Sequence, residues 1–208
     1  MTPSTPLQKA NHLINCLEKH GQGDYIGESI SQLEHSLQAA HQAKKAGATD
    51  ELILAALLHD IGQIIPLDST REIQLRMQTN NNNQSVGRIG HETLGAEYLR
   101  GLGFSETVCR LVQSHVPAKR YLTAADSAYY DSLSAASKKS LEFQGGPFSG
   151  AELAAFEADP LPEEMVMLRL WDDRAKIPGI EGLTPRAGEY LGMVVGHLEG
   201  RLELELDM

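Results

Sequence analysis

The stretch from Glu51 to Gly62 reads ELILAALLHDIG and carries apolar residues on every side of a helix. Such a helix is expected to have little contact with solvent. It nevertheless ends in the adjacent pair His59-Asp60, and an imidazole and a carboxylate are costly to bury unless they are paired. The stretch therefore predicts a buried helix, from an N-cap at Asp50 to about Gly62, whose two polar residues need a binding partner.

The bulk composition limits the class of protein. Hydrophobic residues make up 41% of the 208 residues and charged residues 22%, so we expect one globular domain over residues 1–208. The net charge of -10 argues against a nucleic-acid partner, because phosphate backbones need a basic face. We expect no membrane partner and a cytoplasmic location, since no apolar run could span a bilayer and no signal-peptide pattern is present. Cys16 and Cys109 lack metal or redox spacing and are predicted to be buried thiols.

Helical periodicity recurs along the chain and predicts an all-α fold without strands. Residues 64–90 contain Pro66 and the tract NNNNQ at 80–84, and they predict a long loop of the kind that forms lids or binding segments. The predicted helices are residues 5–20, 28–46, 50–62, 91–101, 105–115, 149–157, 161–174 and 184–204.

Polar residues that can bind metals fall on the inward faces of these helices. Taken singly, each histidine is more often a core residue bonded to a carbonyl, and each aspartate a cap or an ion-pair partner. Together they would bury four imidazoles and two carboxylates, and a metal site satisfies all of them at once. Imidazole and carboxylate without thiolate suit iron or manganese better than a structural zinc site. The six candidates are His35, His59, Asp60, His91, His115 and Asp172.

The order of these residues resembles the H…HD…D signature of the HD-domain superfamily, an all-helical fold with a central metal site. His91 and His115 fall where two-metal members supply two further histidines. Over nearly its whole length the chain is similar to the HD-domain mixed-valent di-iron oxygenases that cleave carbon–phosphorus bonds. The matching stretches are residues 24–28, 32–36, 54–60, 98–104, 115–122, 141–147 and 171–172.

The resemblance implies a helical bundle around two iron ions, Fe(II)/Fe(III), with the six candidates as ligands and Asp60 as the bridge. It implies a small organophosphonate and dioxygen as substrates. It also implies that Lys119 and Ser137 bind the phosphonate, although a surface lysine and a capping serine are the alternatives. Tyr25 and Glu28 match a mobile pair near the ammonium end of the substrate.

Two departures from the family pattern bear on the substrate. Gln63 stands where members acting on 2-amino-1-hydroxyethylphosphonate have a phosphonate-contacting histidine. The 64–90 segment is also longer than the one expected in those members. Both favour the trimethylammonium analogue, cleaved to glycine betaine and phosphate, over the free amine, cleaved to glycine and phosphate. Arg88 is a hypothetical replacement for the lost contact, with an outward-facing loop arginine as the alternative.

Two other functions stay open at this point. The same ligands could serve a metal-dependent phosphohydrolase, in which metal-activated water attacks a phosphate ester. A non-catalytic metal- or nucleotide-binding module would also use them, but it leaves the matches at Tyr25, Glu28 and Lys119 unexplained. The oligomeric state is not indicated by the sequence.

Overall fold

Helices are the regular secondary structure of the described part of the chain. The computed structural model describes residues 5–25, 27–66, 88 and 90–206, with side chains as far as Arg201. These residues contain no β-strand, only an isolated bridge between Asp24 and Ser31, and the predicted all-α fold is confirmed. The helices are α1 Pro6–His20, α2 Gln32–Lys45, α3 Asp50–Leu58, α4 Ile61–Ile64, α5 His91–Leu102, α6 Glu106–Ala125, α7 Ser127–Ser132, α8 Ala135–Phe143, α9 Ala151–Glu157, α10 Pro162–Arg174 and α11 Leu191–Leu206.

Helix α3 lies in the core of the bundle. Every residue from Leu52 to Leu58 is buried, and the helix packs against α2, α6 and α10. Burying one large aliphatic side chain contributes about 1.5–3 kcal/mol, so a helix that is apolar on every face is stabilised only in the interior. The predicted buried helix is therefore confirmed, and its C-terminal end brings His59, which has no exposed surface, into the core.

The two ends of α3 differ from the prediction. Thr49, not Asp50, is the N-cap, because its Oγ1 accepts a hydrogen bond from the Leu52 N–H. The helix also stops before Gly62: Asp60 has φ -98° and ψ 12°, and the chain turns there into α4. Neighbouring residues in a continuous helix point about 100° apart, whereas this turn lets both polar residues reach one centre.

Helix α2 begins later than predicted, and this moves Glu28. The Ser31 hydroxyl accepts a hydrogen bond from the Glu34 N–H at 3.1 Å and caps the helix. Gly27 has a φ of 77°, in the left-handed region that glycine adopts most readily. The predicted helix start at residue 28 is therefore wrong, since Glu28 lies in the turn before the helix.

Helix α6 continues well past the predicted end at residue 115. It runs through Pro117, whose missing N–H normally disfavours a helix interior. The flanking residues Val116 and Ala118 are buried, and we infer that this packing offsets the lost hydrogen bond. As a result Lys119 lies one helical turn after His115.

The remaining boundaries agree to within two residues, except for the last helix. It begins at Leu191 rather than 184, because Thr184 precedes Pro185 and is held in an extended conformation.

Cys16 and Cys109 are free and buried, as predicted. Among the described residues no helix combines the length and apolar character needed to cross a bilayer. Most of the predicted 64–90 loop, residues 67–87 and 89, lies outside the described residues.

A close approach between α4 and α5 positions the start of α5. A Cβ atom added to Gly62 would lie 2.0 Å from the carbonyl oxygen of His91 and 2.9 Å from the nitrogen of Gly95. A Cβ on Gly95 would in turn meet the Gly62 nitrogen at 3.1 Å. Two glycines at this crossing therefore allow the main chains to touch, which brings His91 beside the turn that carries Asp60.

Candidate metal centre

Six buried residues meet at the centre of the bundle, and none is more than 7% exposed. They are supplied by α2, by the turn between α3 and α4, and by α5, α6 and α10. The six residues therefore converge in the structure as the helix phases predict. The six residues are His35, His59, Asp60, His91, His115 and Asp172.

His35 and His59 form the first imidazole pair. Nδ1 of His35 donates to the carbonyl oxygen of Ala175 at 2.8 Å, and Nδ1 of His59 donates to that of Ala56 at 2.9 Å. When the rings are neutral, each Nε2 then carries a lone pair. These two Nε2 atoms are only 3.0 Å apart. Facing lone pairs at this distance repel unless a proton or a metal cation lies between them.

His91 and His115 repeat this arrangement. Nδ1 of His91 donates to the carbonyl oxygen of Arg88 at 2.9 Å, and Nδ1 of His115 to that of Val112 at 2.7 Å. Their Nε2 atoms are again 3.0 Å apart. Main-chain carbonyls thus fix both rings with Nε2 pointing to the centre, which is how metal-binding histidines are usually oriented.

Asp60 lies between the two pairs and presents one oxygen to each. Its Oδ2 is 3.7 Å from Nε2 of His35 and 3.6 Å from Nε2 of His59. Its Oδ1 is 3.1 Å from Nε2 of His91 and 3.6 Å from Nε2 of His115. A carboxylate placed in this way can bridge two cations.

Asp172 completes the first pair. Its Oδ1 lies 3.3 Å from Nε2 of His35, and its Oδ2 accepts a hydrogen bond from Nη1 of Arg169 at 2.7 Å. Arg169 is itself only 4% exposed and also pairs with Asp173. The buried guanidinium therefore orients Oδ2 of Asp172 and leaves Oδ1 directed at His35.

The pKa values at the centre follow from burial and neighbouring charge. Burial alone would raise the pKa of Asp172, but Arg169 chiefly holds it well below its usual range. Burial would likewise raise the pKa of Asp60, and the neighbouring imidazoles, His59 first, lower it. Burial lowers the pKa of His115 to about 3. Ionised carboxylates and a neutral imidazole are the forms that bind metals.

His91 shows the competition between a proton and a metal. Burial, the largest single effect, would lower its pKa, but the hydrogen bond to Asp60 and the charges of Asp60 and Glu92 together raise it. A proton on His91 is thus one way to remove the repulsion between the facing Nε2 atoms of His91 and His115, and a metal cation is the other.

The donor atoms divide into two groups, and within each group they lie within 4.8 Å of one another. Each group holds two histidines and one carboxylate, the donor set typical of non-haem iron oxygenases with open coordination positions. The residues therefore fit the two-iron site that the sequence predicts. The groups are His35, His59 and Asp172, and Asp60, His91 and His115.

A cavity of about 390 Å³ opens beside the centre. Its inner wall includes Asp60, His91, His115 and Asp172. Its other polar lining residues include Tyr25, Glu28, Gln63, Lys119, Ser137, Ser140 and Lys176.

Lys119 and two serines form one side of the cavity. Lys119 is only 3% exposed, and its Nζ donates to the Ser140 hydroxyl at 2.7 Å. The Ser140 hydroxyl donates to the carbonyl oxygen of Ser137 at 3.0 Å, and both serines are on α8. Burial lowers the pKa of Lys119 to about 7. The surface position considered for Lys119 is therefore wrong.

Tyr25 and Glu28 form another side. The Tyr25 ring stacks on the His35 ring with centroids 3.8 Å apart, and its hydroxyl donates to Oδ1 of Asp172 at 3.5 Å. Burial, followed by the charge of Asp172, raises the pKa of Tyr25 well above its ordinary value. Glu28 Oε1 lies 3.9 Å from Nζ of Lys176.

Gln63 and Arg88 are arranged differently from the hypothesis. Gln63 lines the cavity, and its Oε1 accepts from the Arg88 N–H at 2.7 Å. Nη1 of Arg88 donates to the carbonyl oxygens of Gly62 and Ile65 at 2.8 and 2.9 Å. Arg88 is not among the described residues that line the cavity. Because these bonds hold its side chain against the α4 turn, the geometry does not support a phosphonate contact from Arg88.

Sequence reasoning missed Lys176 and Ser140. Ser140 is three residues after Ser137 and shares its helical face, so the spacing could have indicated it. Lys176 follows the end of α10, beyond the helical periodicity that placed Asp172. No spacing rule pointed to it, since its position depends on how the chain leaves the helix.

Known proteins resemble this chain along most of its length. The HD domain model matches residues 33–167. The hydroxymethylphosphonate dioxygenase of Gimesia maris is 42% identical over 195 residues, 94% of this chain and 90% of the relative. An uncharacterized protein of Acanthamoeba polyphaga mimivirus is 38% identical over 171 residues, 82% of this chain and 74% of that protein. The glycine-betaine-forming 1-hydroxy-2-(trimethylamino)ethylphosphonate dioxygenase of Leisingera caerulea is 35% identical over 177 residues, 85% of this chain and 84% of the relative.

Proposed function

The chain belongs to the HD-domain family, among its phosphonate oxygenases, and on that premise we propose that it cleaves the carbon–phosphorus bond of a hydroxyphosphonate with dioxygen. The observation that carries the proposal is the position of two histidine-histidine-carboxylate groups beside a cavity with a buried lysine. The products would be phosphate and a carboxylate.

We propose that the six residues at the centre hold two iron ions in the Fe(II)/Fe(III) state. When bound, the irons would supply the activation of dioxygen. The protein would hold both histidine pairs in register through the main-chain carbonyls that fix their Nδ1 atoms. Asp60, with one oxygen toward each pair, would couple the two ions.

Lys119, Ser137 and Ser140 would bind the phosphonate. A phosphonate carries up to two negative charges, and in a buried site it needs a cation and hydrogen-bond donors. Nζ of Lys119 lies at hydrogen-bond distance from Ser140, so ammonium and hydroxyl face the same space. The site would thereby fix the phosphorus end of the substrate and direct C1 toward the centre.

Tyr25 would close the site from the opposite side. Its raised pKa keeps the phenol protonated, so the hydroxyl can donate to Asp172 but does not bring a further negative charge to the centre. Its stacking on His35 covers that ring. The role that we propose for Tyr25 is therefore to limit the access of water.

The shared feature of the candidate substrates is a hydroxyl on the carbon next to phosphorus. From the sequence alone, the departures at Gln63 and in the 64–90 segment favour the trimethylammonium compound, with the free amine as the alternative. The two named relatives act on hydroxymethylphosphonate and on the trimethylated compound. The family resemblance alone leaves the substituent on C1 open.

The proposal is tested by measuring phosphate release and oxygen uptake together with the iron-loaded protein. We expect one phosphate per dioxygen from a hydroxyphosphonate and no release under nitrogen. A phosphohydrolase would instead release phosphate from an ester equally well without oxygen. Phosphate release that is independent of oxygen, or no turnover of any hydroxyphosphonate, would reject the proposed function.

A further inference from the structure

We infer that Lys176 determines substrate specificity: its ammonium group reserves the Glu28 side of the cavity, so the site selects hydroxyphosphonates without a cationic substituent. The inference rests on the proposed function and names the substrate class for the same cavity. It reverses the preference for a trimethylammonium substrate that the sequence suggested.

Lys176 projects into the cavity from the segment after α10. Its side chain is 11% exposed, and Nζ donates to the Ser137 hydroxyl at 3.0 Å. Nζ also lies 3.9 Å from Oε1 of Glu28 and 3.9 Å from Oδ1 of Asp173. The ammonium group is therefore held between two carboxylates, next to a residue that we assign to phosphonate binding.

The groups that would attract a substrate ammonium already face Lys176. Oε1 of Glu28 accepts no hydrogen bond from the described residues, and Nζ of Lys176 is its nearby cation. The same Nζ lies 5.8 Å from the centroid of the Tyr25 ring. A second cation beside Glu28 would thus enter next to a positive charge, and like charges repel more strongly in a partly buried site than in bulk water.

The cavity also lacks the aromatic walls that quaternary ammonium groups require. All six Tyr, four Phe and one Trp of the sequence lie in the described part of the chain. Of these eleven side chains only Tyr25 lines the cavity, and it stacks on His35. Tyr121, Tyr129, Tyr130 and Trp171 are among the aromatic residues that do not line it.

Lys176 instead favours a compact anionic substrate. Lys176 places its ammonium group against Ser137, and Lys119 places its own against Ser140. Both serines lie on α8. This arrangement attracts a phosphonate dianion and disfavours a positively charged tail. Hydroxymethylphosphonate, whose C1 carries two hydrogens beside the hydroxyl and the phosphorus, is the simplest molecule of this class.

The test compares a cationic substrate with an uncharged analogue of the same shape. Values of kcat/KM are measured for hydroxymethylphosphonate, for the trimethylammonium substrate, and for its uncharged analogue in which a tert-butyl group replaces trimethylammonium. We expect the wild-type protein to prefer the tert-butyl compound over the cationic one at least tenfold. In Lys176→Met the preference should fall at least tenfold, whereas Lys176→Arg should retain it. Anaerobic titration calorimetry on the same three compounds gives a readout that does not require turnover.

Lys45→Met is the matched control, because it removes the same charge from an exposed lysine on α2 that does not line the cavity. We expect it to leave the preference unchanged. A wild-type preference for the cationic compound, or an unchanged ratio in Lys176→Met, would overturn the inference while the proposed function stands. Absence of turnover with all three compounds would instead count against the proposed function.

Discussion

Nε2 of His91 lies 3.0 Å from Nε2 of His115, while Nδ1 of each ring donates to a main-chain carbonyl oxygen. The other pair, His35 and His59, has the same distance and the same type of carbonyl bonds. If all four imidazoles were neutral, the Nε2 lone pairs of each pair would face each other with no proton or cation between them. The stability of this protein should therefore depend on cations at its centre.

Removal of metal should lower the melting temperature. A ligand that binds only the folded state, present at one hundred times its Kd, stabilises by about 2.7 kcal/mol, and two bound ions should add their effects. We expect about two irons per chain by elemental analysis, and a clear drop in Tm after chelation that iron restores. One iron per chain, or an unchanged Tm, would contradict a two-ion centre.

Asp60→Asn should lose both ions rather than one. Asparagine keeps the shape of the side chain but removes the charge that faces both histidine pairs. Iron content and Tm of this variant are compared with those of Asp131→Asn, in which the same change is made at an exposed position. Retention of one full equivalent of iron would show that Asp60 does not couple the two groups.

Gly62→Ala should displace His91 and weaken the second group. The added Cβ would lie 2.0 Å from the His91 carbonyl oxygen, so the two main chains must separate. Overpacking of this kind costs about 1–3 kcal/mol. Gly101→Ala is the control, since a Cβ there meets nothing within 4 Å and alanine favours helix. Equal free energies of unfolding and equal iron contents for the two variants would refute the positional role of Gly62.

Turnover should decrease on the alkaline side of neutrality because of Lys119. Its ammonium form attracts the phosphonate, and burial lowers its pKa to about 7. As pH rises above this value the protonated fraction, and with it kcat/KM, should fall about tenfold per pH unit. Arginine stays protonated, so Lys119→Arg should move this decrease to higher pH. The pH profile of kcat/KM for both proteins is the measurement, and coincident profiles would exclude Lys119 as the titrating group.

Loss of the Lys119 charge should affect binding more than iron content. Removing one partner of a buried, charged hydrogen bond costs about 2 kcal/mol or more, roughly thirtyfold in KM. Lys119→Met should show this increase with its iron unchanged, because Lys119 is not in either group of metal-binding atoms. Loss of iron from this variant would place Lys119 at the centre itself.

The sequence by itself determined the helical architecture and the residues at the centre. The apolar run before His59 can be stabilised only in the interior, and helical spacing places the other candidates on inward faces. Local rules of this kind were enough because each helix must bury one particular face. They do not depend on how distant parts of the chain pack.

Only the tertiary structure decided the positions of Glu28, Arg88 and Lys176. Glu28 is in a turn, Arg88 is bonded to the main chain of α4, and Lys176 lies after the end of α10. Outside regular helices no periodicity relates a residue number to a direction, so these side chains are placed by long-range packing. The substrate preference depends on that packing, because it is the distance between Lys176 and Glu28 that sets the charge on that side of the cavity.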